Sequence, residues 1–383
     1  MKTKKTILIL SDWFLPGFKA GGPIQSIATL TAHLQHEFNF KIITTDRDFK
    51  SDTPYTSIEI NKWTNFKGRE VFYVSPENVN EHFLIELIKH TAHDVLYINS
   101  LFSKHFAINP LRWKKQGKLK SPIIMAPRGM FGCKALEVKP IKKKLFFMYA
   151  KWVGLFNHIH WQSTSVQETM DIKKHIGSLC QLSQVFNLPH ISNEMAYLEK
   201  QPHVLRLCFI GRIVPIKNLL LAIQSLQGIK QGAIVFDIYG PQEDLEYWNS
   251  CEEHLKSMPS HIHCEYKGSL APEEISTVIS QYHALLLPTQ TENFGHVIVE
   301  TLLQQRPVII SNNTPWRNLQ QYQAGFDIDL KHPEEITQSI NMLLLMNNTE
   351  FQQVCQAAYD FINNALHIEQ IKQEYINLFN RTF

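Results

Sequence analysis

The chain has 383 residues, a net charge of +3 and an apolar fraction of 44%. These are globular values, and the length favours two α/β domains over a single core. No apolar stretch reaches the ~18 residues that a membrane-spanning helix needs, so a spanning segment is not expected.

Charge is distributed unevenly along the sequence. Residues 1–200 carry a net charge of +11 and residues 201–383 a net charge of −8; residues 101–150 hold 12 basic residues and one acid, Glu137. A basic half implies an anionic partner. Nucleic acid is not expected as that partner, because no recognised nucleic-acid motif is present.

The six cysteines and the first residues bear on location. None of the cysteines forms a C-x-x-C pair, which predicts reduced thiols in a cytoplasmic protein and no zinc site. The apolar run 7–10 is short and is followed by Ser11-Asp12, so it favours a first β-strand over a signal peptide.

The first half alternates strand-like and helix-like segments. The predicted strands are 6–10, 40–44, 71–74, 95–99, 123–126 and 158–162, and residues 184–189 are predicted to be a last strand plus turn. The predicted helices are 23–34, 79–92 and 163–175, the last with Ser165 as its cap. Residues 51–69 are predicted to be a polar excursion. Residues 190–203 are polar and irregular, which predicts a domain linker.

Two features of this half are candidate binding sites. Gly21-Gly22-Pro23 lies between a predicted strand and a helix, an arrangement that presents backbone to an anionic ligand; a plain tight turn is the alternative. Arg128 follows a strand's carboxyl end, where it could grip a phosphate or a carboxylate; the alternative is a surface arginine that caps a turn.

The stretch Lys139–Trp152 is basic and then aromatic. It predicts an amphipathic helix that contacts an anionic membrane surface. The alternative is that its aromatic face packs into the core and its lysines are solvated.

The second half repeats the alternation. The predicted strands are 205–210, 235–239, 262–266, 284–288, 308–311 and 324–328; the predicted helices are 219–226, 272–281, 297–305, a short helix that starts at 312–316, and two or three helices in 333–383. Two Asp-x-Asp sequences, Asp46-Arg47-Asp48 and Asp327-Ile328-Asp329, are predicted to be a solvated loop and a strand end rather than metal sites.

Four charged residues in this half form a candidate constellation. Arg212 and Lys217 share one β→α loop, where two cations near a helix start suit a diphosphate leaving group. Glu292 and Glu300 lie about eighty residues later, at a strand-to-helix turn that suits sugar hydroxyls and a phosphate.

Here the chain resembles the retaining glycosyltransferases of family 4. The residues that carry the resemblance are Phe209-Ile210-Gly211-Arg212-Ile213-x₃-Lys217-Asn218, Tyr266-Lys267-Gly268, Leu287-Pro288-Thr289-x₂-Glu292-Asn293-Phe294-Gly295-x₄-Glu300 and Arg306-Pro307-Val308-Ile309-x₄-Thr314-Pro315-Trp316. Looser matches in the first half are Gly21-Gly22-Pro23, Pro127-Arg128-Gly129-Met130 and Ser163-Thr164-Ser165-x₂-Glu168.

The resemblance implies the GT-B fold: two Rossmann-like domains with parallel sheets that face each other across a cleft. Residues 1–190 would form the acceptor-side domain and 203–365 the nucleotide-sugar domain, with 366–383 a final helix packing back on the first domain. The family needs no metal, so no metal or other cofactor is expected.

The resemblance also implies roles for individual residues. Arg212 and Lys217 would bind the donor diphosphate, Glu292 the donor sugar and Glu300 the ribose hydroxyls. The pocket would be completed by backbone at Asn293, Phe294 and Gly295, by the base-framing loop at Gly268, and by Gly21 and Gly22 from the first domain.

Three departures from the family pattern are notable. Arg128 stands where many members have a histidine near the reacting sugar. Asn293 replaces the usual glycine. Arg306 replaces a small residue, and this replacement is expected to have no effect on function.

The function predicted is retaining sugar transfer from a nucleotide-diphosphate donor to a glycan or lipid-linked acceptor, in cell-surface polysaccharide or lipid-linked glycan biosynthesis. The enzyme would be cytoplasmic and peripheral on the inner membrane face. A nucleotide-sugar epimerase and a non-catalytic sugar- or lipid-binding module are the alternatives. An NAD-dependent dehydrogenase is disfavoured because no G-x-G-x-x-G occurs.

Overall fold

The computed structural model describes residues 4–137, 139–191 and 196–381. The chain divides into two compact units. The first comprises Met1–Leu188 and Ile368–Phe383, and the second comprises Pro189–His367. Four residues of the predicted linker, 192–195, lie outside the described part of the chain.

Strands and helices alternate through both units. The strands are β1 Thr6–Leu10, β2 Asn39–Thr45, β3 Trp63–Phe66, β4 Arg69–Val74, β5 Val95–Ile98, β6 Ile123–Met125, β7 Ile159–Ser163, β8 Leu182–Gln184, β9 Val204–Ile210, β10 Ala233–Tyr239, β11 Ile262–Gly268, β12 Ala284–Leu287, β13 Val308–Ser311 and β14 Gly325–Ile328. The helices are α1 Gly22–Leu34, α2 Glu81–His90, α3 Asn109–Lys115, α4 Cys133–Glu137, α5 Pro140–Trp152, α6 Val166–Ile176, α7 Leu219–Gln227, α8 Leu245–Lys256, α9 Ile275–Ile279, α10 His296–Leu303, α11 Glu334–Leu345, α12 Asn348–Ala365 and α13 Ile368–Asn380.

Each unit is built on one sheet. The first has the strand order β3-β4-β2-β1-β5-β6-β7-β8, parallel except for the β3–β4 pair, and the second has the parallel order β11-β10-β9-β12-β13-β14. Central strands such as β12, with all four residues buried, are apolar on both faces because helices cover both sides. The predicted α/β class is therefore confirmed.

The order of the strands reverses at one place in each sheet. In the first unit this switch point lies between β1 and β5, and in the second it lies between β9 and β12. In open α/β sheets, ligands bind outside the carboxyl ends of the strands at such a point. The loops after these four strands are therefore the places to look for a site.

The last helix, α13, belongs to the first unit. Its Phe379 ring lies 5.7 Å from that of Tyr97 on β5, and its Tyr375 hydroxyl accepts a hydrogen bond of 2.8 Å from Gln162 Nε2 on β7. These side chains are buried, so α13 is part of the core of the first unit.

Some local predictions were wrong. The polar excursion contains β3, and the last strand, predicted to begin at Gln184 and lead into a turn, is Leu182–Gln184 and so ends where it was predicted to begin. No helix begins at 312–316: Thr314 Oγ1 accepts a hydrogen bond from Trp316 N, and the Trp316 indole donates to Phe294 O at 2.6 Å. These contacts hold the segment as a loop instead.

The loop around Asp46 and Asp48 is also not solvated as predicted. Asp46 and Asp48 are buried, at 1% and 7% exposure. Asp46 pairs with Arg47 at 2.8 Å, and Asp48 accepts hydrogen bonds from the backbone N–H groups of Phe18 and Lys19. The second carboxylate therefore fixes the segment that leads to Gly21.

Arg306, expected to be a neutral replacement, is buried and structural. Its guanidinium donates to the carbonyl oxygens of Tyr282 and Gln305, at 3.0 Å each, and to that of Ser280 at 3.2 Å. Burial lowers its pKa. A small residue could not satisfy these carbonyls.

Candidate functional site

Two loops meet at the switch point of the second unit. One follows β9 and carries Lys217, and the other follows β12 and carries Glu292. The carbonyl oxygen of Ile216 joins them, because it accepts hydrogen bonds from Gln290 N at 2.8 Å and from Thr289 Oγ1 at 3.0 Å. The two charged side chains are thereby brought to the same place.

Lys217 and Glu292 form an ion pair between the ammonium and Oε2. Their side chains are only 16% and 17% exposed. Burial alone would raise the pKa of Glu292, but the Lys217 ammonium outweighs it and holds that pKa below its usual value. At neutral pH the site therefore contains a half-buried cation beside a carboxylate.

Arg212 lies on the same β9 loop but has a different partner. Its Nη1 donates to Glu243 Oε2 at 3.2 Å, and its side chain is 38% exposed. Glu243, in the loop between β10 and α8, was not predicted. Only the neighbouring positions of β9 and β10 in the sheet reveal it.

The turn into α10 is tightly built. Gly295 precedes the helix with φ 76°, and a Cβ there would lie 2.9 Å from Ile298 Cδ1 and 3.0 Å from Glu292 Cγ. Phe294 is buried against Trp316, while Asn293 N donates to Glu292 Oε1 at 3.3 Å. Of the three predicted pocket residues, Asn293 and Gly295 thus lie against the Glu292 side chain, whereas Phe294 packs on Trp316.

Glu300 lies in α10 and is 5% exposed. Within the described chain its Oε2 has no hydrogen-bond partner. Burial raises the pKa of Glu300 to about 8. A buried carboxyl oxygen without a partner is costly, and it is the kind of group that a bound ligand satisfies.

The ends of β9, β10 and β11 approach one another through glycines. Gly240 has φ 143°, and a Cβ there would lie 1.8 Å from Gly211 O; Gly240 N donates to Gly268 O at 2.8 Å. Gly268 itself has φ 85° and open space where a Cβ would be. The predicted Gly268 is therefore connected through the backbone of Gly240 to the loop that carries Arg212. This close approach requires a glycine at position 240.

In the first unit, Gly21 and Gly22 begin α1 beside the switch point. Gly21 has φ 68° and no atom within 4 Å of a built Cβ. Asn99, which follows β5, donates from Nδ2 to Pro23 O at 3.0 Å. The glycines thus expose backbone at a helix start that a neighbouring strand end holds in place.

Arg128 is engaged by protein side chains. It has φ 54°, and its guanidinium donates to Asn99 Oδ1 at 2.6 Å, to the Tyr97 hydroxyl at 2.7 Å and to Asn187 Oδ1. Each donating nitrogen thus has a neutral partner. Sequence reasoning did not identify these partners: Tyr97 and Asn99 lie at the end of β5, and Asn187 lies after β8.

Glu168, in the first turn of α6, connects the loop that carries Arg128 to α6. Its backbone N–H donates to Ser165 Oγ at 3.1 Å, which confirms Ser165 as the cap of α6. Its carboxylate accepts from Thr164 N and Thr164 Oγ1, at 2.7 Å each, and from Gly129 N. The residue after Arg128 is thereby tied to α6.

Among the described residues, no three His, Cys, Asp or Glu side chains are grouped so that they could hold a metal ion. An open cavity of about 860 Å³ lies elsewhere in the second unit, along β14, α11 and α12. None of the predicted site residues lines it.

Residues 192–361 match the family model described as "Glycosyl transferases group 1". This segment contains Arg212, Lys217, Glu292 and Glu300. A search of curated proteins finds no significant match.

Solved structures similar to the whole chain share its fold. Sucrose-phosphate synthase from Thermosynechococcus elongatus has a TM-score of 0.71 at 14% identity, with 98% of each chain covered. Anabaena HepE in complex with UDP and glucose has a TM-score of 0.69 at 12% identity, covering 99% of this chain and 100% of HepE. A glycosyltransferase from Rickettsia africae has a TM-score of 0.66 at 11% identity, with 98% of each chain covered. The fold is therefore that of GT-B glycosyltransferases.

Proposed function

We propose that the chain, whose residues 192–361 match the model of group 1 glycosyl transferases, transfers a sugar from a nucleotide-diphosphate donor to an acceptor hydroxyl with retention at the anomeric carbon. The observation that carries this proposal is the Lys217–Glu292 pair at the switch point of the second sheet, eight residues before the buried Glu300. The Lys217 ammonium, the Glu292 carboxylate and the unpartnered Glu300 Oε2 suit the phosphate, the sugar and the ribose of one nucleotide-sugar, respectively.

The charges suggest how the transfer is assisted. As the bond between sugar and diphosphate breaks, negative charge grows on the diphosphate. Lys217 would stabilise that charge. Because its side chain is half-buried, its electrostatic interaction with the diphosphate would be stronger than in water. Arg212, held by Glu243 on the same loop, would add a second cation.

The two carboxylates would bind the donor rather than act as a general acid and a general base in the transfer. Because its pKa is lowered, Glu292 is ionised at neutral pH and suits hydrogen bonds from sugar hydroxyls. Glu300 would accept from the ribose hydroxyls, Gly268 would lie at the base, and Gly21 and Gly22 would approach the diphosphate. In a retaining transfer of this kind, the leaving phosphate oxygen would take the acceptor proton.

For the acceptor we propose a glycan or lipid-linked intermediate of cell-surface polysaccharide or glycolipid synthesis. The net charge of +11 on residues 1–200 suits an acceptor that carries phosphate or is displayed on an anionic surface. The enzyme would work in the cytoplasm, peripherally on the inner membrane face. No metal or other cofactor would be needed.

A donor panel tests the proposal. UDP-, GDP- and ADP-sugars are added separately, and thermal shift and donor turnover are recorded. One base class should raise the melting temperature and be hydrolysed slowly without an acceptor. Conversion of the donor sugar to its epimer would point to an epimerase, and absence of any shift with all three classes would refute the donor site.

Retention is tested once an acceptor is found. The anomeric proton coupling of the product, measured by NMR at early times, should show the same configuration as the donor. Inversion would contradict the retaining assignment without removing the donor site.

A further inference from the structure

The helix α5 carries an exposed apolar stripe. Five of its side chains are apolar or aromatic and largely exposed: Ile141 74%, Leu145 58%, Met148 59%, Tyr149 48% and Trp152 85%. At about 100° per residue they fall within an arc of about 100° on one side of the helix. This is a continuous face along the whole helix, rather than scattered surface residues.

Lysines border the stripe on both sides. On the same helical wheel, Lys142 lies about 20° beyond one edge, and Lys144 and Lys151 lie about 40–60° beyond the other. All three are exposed. α5 itself contains no acidic residue, so the border is uniformly positive.

The opposite side of α5 attaches the helix to the first unit. Phe146 and Phe147 pack against the core; their rings lie 5.9 Å from Phe102 and 5.5 Å from Phe131, respectively. Ala150 is fully buried. One aromatic pair of α5 therefore enters the core, while a second apolar face of the helix remains outside it.

The position of a lysine on the helical wheel determines whether it faces the protein or the solvent, as Lys143 shows. It lies on the inner side, where its Nζ is 4.9 Å from the centre of the Phe102 ring and donates to Ala135 O. It is thus turned toward the protein, in contrast to Lys142 and Lys144. The exposed cations are those beside the apolar stripe.

We propose that the outer face of α5 docks on an anionic lipid bilayer, with the stripe entering the headgroup region and Lys142, Lys144 and Lys151 contacting lipid phosphates. An apolar arc edged by lysines is the arrangement that interfacial helices use, and exposed Trp152 and Tyr149 suit the boundary between water and acyl chains. The charge border favours this occupant over a second copy of the chain, because two copies would bring lysine borders together. Among the described helices none is long and apolar enough to cross a bilayer, so the contact would be peripheral.

Vesicle sedimentation with the full chain tests this proposal. The probes are vesicles of phosphatidylcholine alone and of phosphatidylcholine with phosphatidylglycerol. We expect the protein to pellet with the anionic vesicles only, and salt to weaken the binding. No donor or acceptor is present, so the result is independent of the proposed transfer reaction.

Two variants separate the stripe from its border. The stripe variant Leu145→Ser/Trp152→Ser should bind roughly tenfold or more weakly because it loses apolar insertion. The border variant Lys142→Gln/Lys144→Gln should lose roughly fivefold per lysine. Its remaining binding should be less sensitive to salt.

The control is Met342→Ser/Leu345→Ser, which removes two exposed apolar side chains, at 55% and 54% exposure, from α11. It should bind vesicles like the parent. All variants should keep the parent's melting temperature, since the changed side chains are exposed. Equal binding by parent and stripe variant would overturn the proposal, as would a parent dimer that the stripe variant converts to monomer.

Discussion

Lys217 and Glu292 stand 75 positions apart in the sequence and form a half-buried ion pair. The pair exists because β9 and β12 are neighbours in the second sheet and the carbonyl of Ile216 joins their loops. Neither residue can be changed alone without leaving the other as a poorly solvated charge.

Lys217→Ala should abolish transfer, with a fall of roughly a hundredfold or more, because no ammonium then offsets charge on the leaving diphosphate. It should also raise the pKa of Glu292. The measurement is transfer rate with circular dichroism as the folding check. Glu292→Gln, which keeps size and removes the charge, serves as the paired variant; full activity in a folded Lys217→Ala protein would contradict the proposal.

The raised pKa of Glu300 predicts a pH-dependent stability. The folded-state pKa is about 8 against a reference of 4.5, so the folded protein holds this proton more tightly than the unfolded chain. The free energy of unfolding therefore falls as pH rises from about 4.5 to 8, by up to about 1.4 kcal/mol per unit. Glu300→Gln should gain stability relative to the parent over this window, as measured by urea unfolding at pH 5 and pH 8. A difference that does not change with pH would show that Glu300 is already ionised in the folded protein.

Donor binding should release a proton near pH 7. If ribose hydroxyls donate to the Glu300 carboxylate, binding favours its ionised form and lowers its pKa. Calorimetry of nucleotide binding in buffers of different ionisation enthalpy measures this release. In Glu300→Gln the release should vanish while binding persists in weakened form.

Two glycines give a matched test of backbone packing. Gly240→Ala should destabilise strongly, by several kcal/mol, because its Cβ would lie 1.8 Å from Gly211 O. Gly268→Ala also has a positive φ but meets open space, so the cost should be only about 1 kcal/mol. Thermal unfolding of both variants measures the contrast, and equal losses would mean that conformation rather than close approach dominates.

Transfer should persist in EDTA. If Lys217 and Arg212 offset the negative charge that grows on the diphosphate, a divalent cation is not needed for that purpose. Activity is compared before and after EDTA treatment, and again after adding back Mg²⁺ or Mn²⁺. Loss with EDTA and recovery on adding metal would refute metal independence.

The parts of the site that the sequence predicts are those carried by local pattern. Apolar runs of strand length followed by helical periodicity predicted the β12 strand, the turn and α10, and hence placed Glu292 and Glu300 in one structural segment. The loop after β9, with Lys217, followed in the same way. Both predictions depend only on the pattern of residues that are close to one another in the sequence.

What the sequence does not reveal depends on which strands lie side by side. Glu243 is an ordinary acid of a polar loop until β10 is placed beside β9. The Asn99 and Asn187 partners of Arg128 lie 29 and 59 positions from it. Asp48 reads as solvated until its contacts with the loop before Gly21 are known.

Because α13 belongs to the first unit, the second unit is an insertion within the first, entered after Leu188 and left after His367. Residues 189–367 are thus one continuous segment, whereas the first unit is discontinuous in sequence. A chain that stops before Ile368 would keep the whole second unit and leave the first without Tyr375 and Phe379, two buried rings of its core. Truncation at the carboxyl terminus would therefore damage the unit that is encoded at the other end of the sequence.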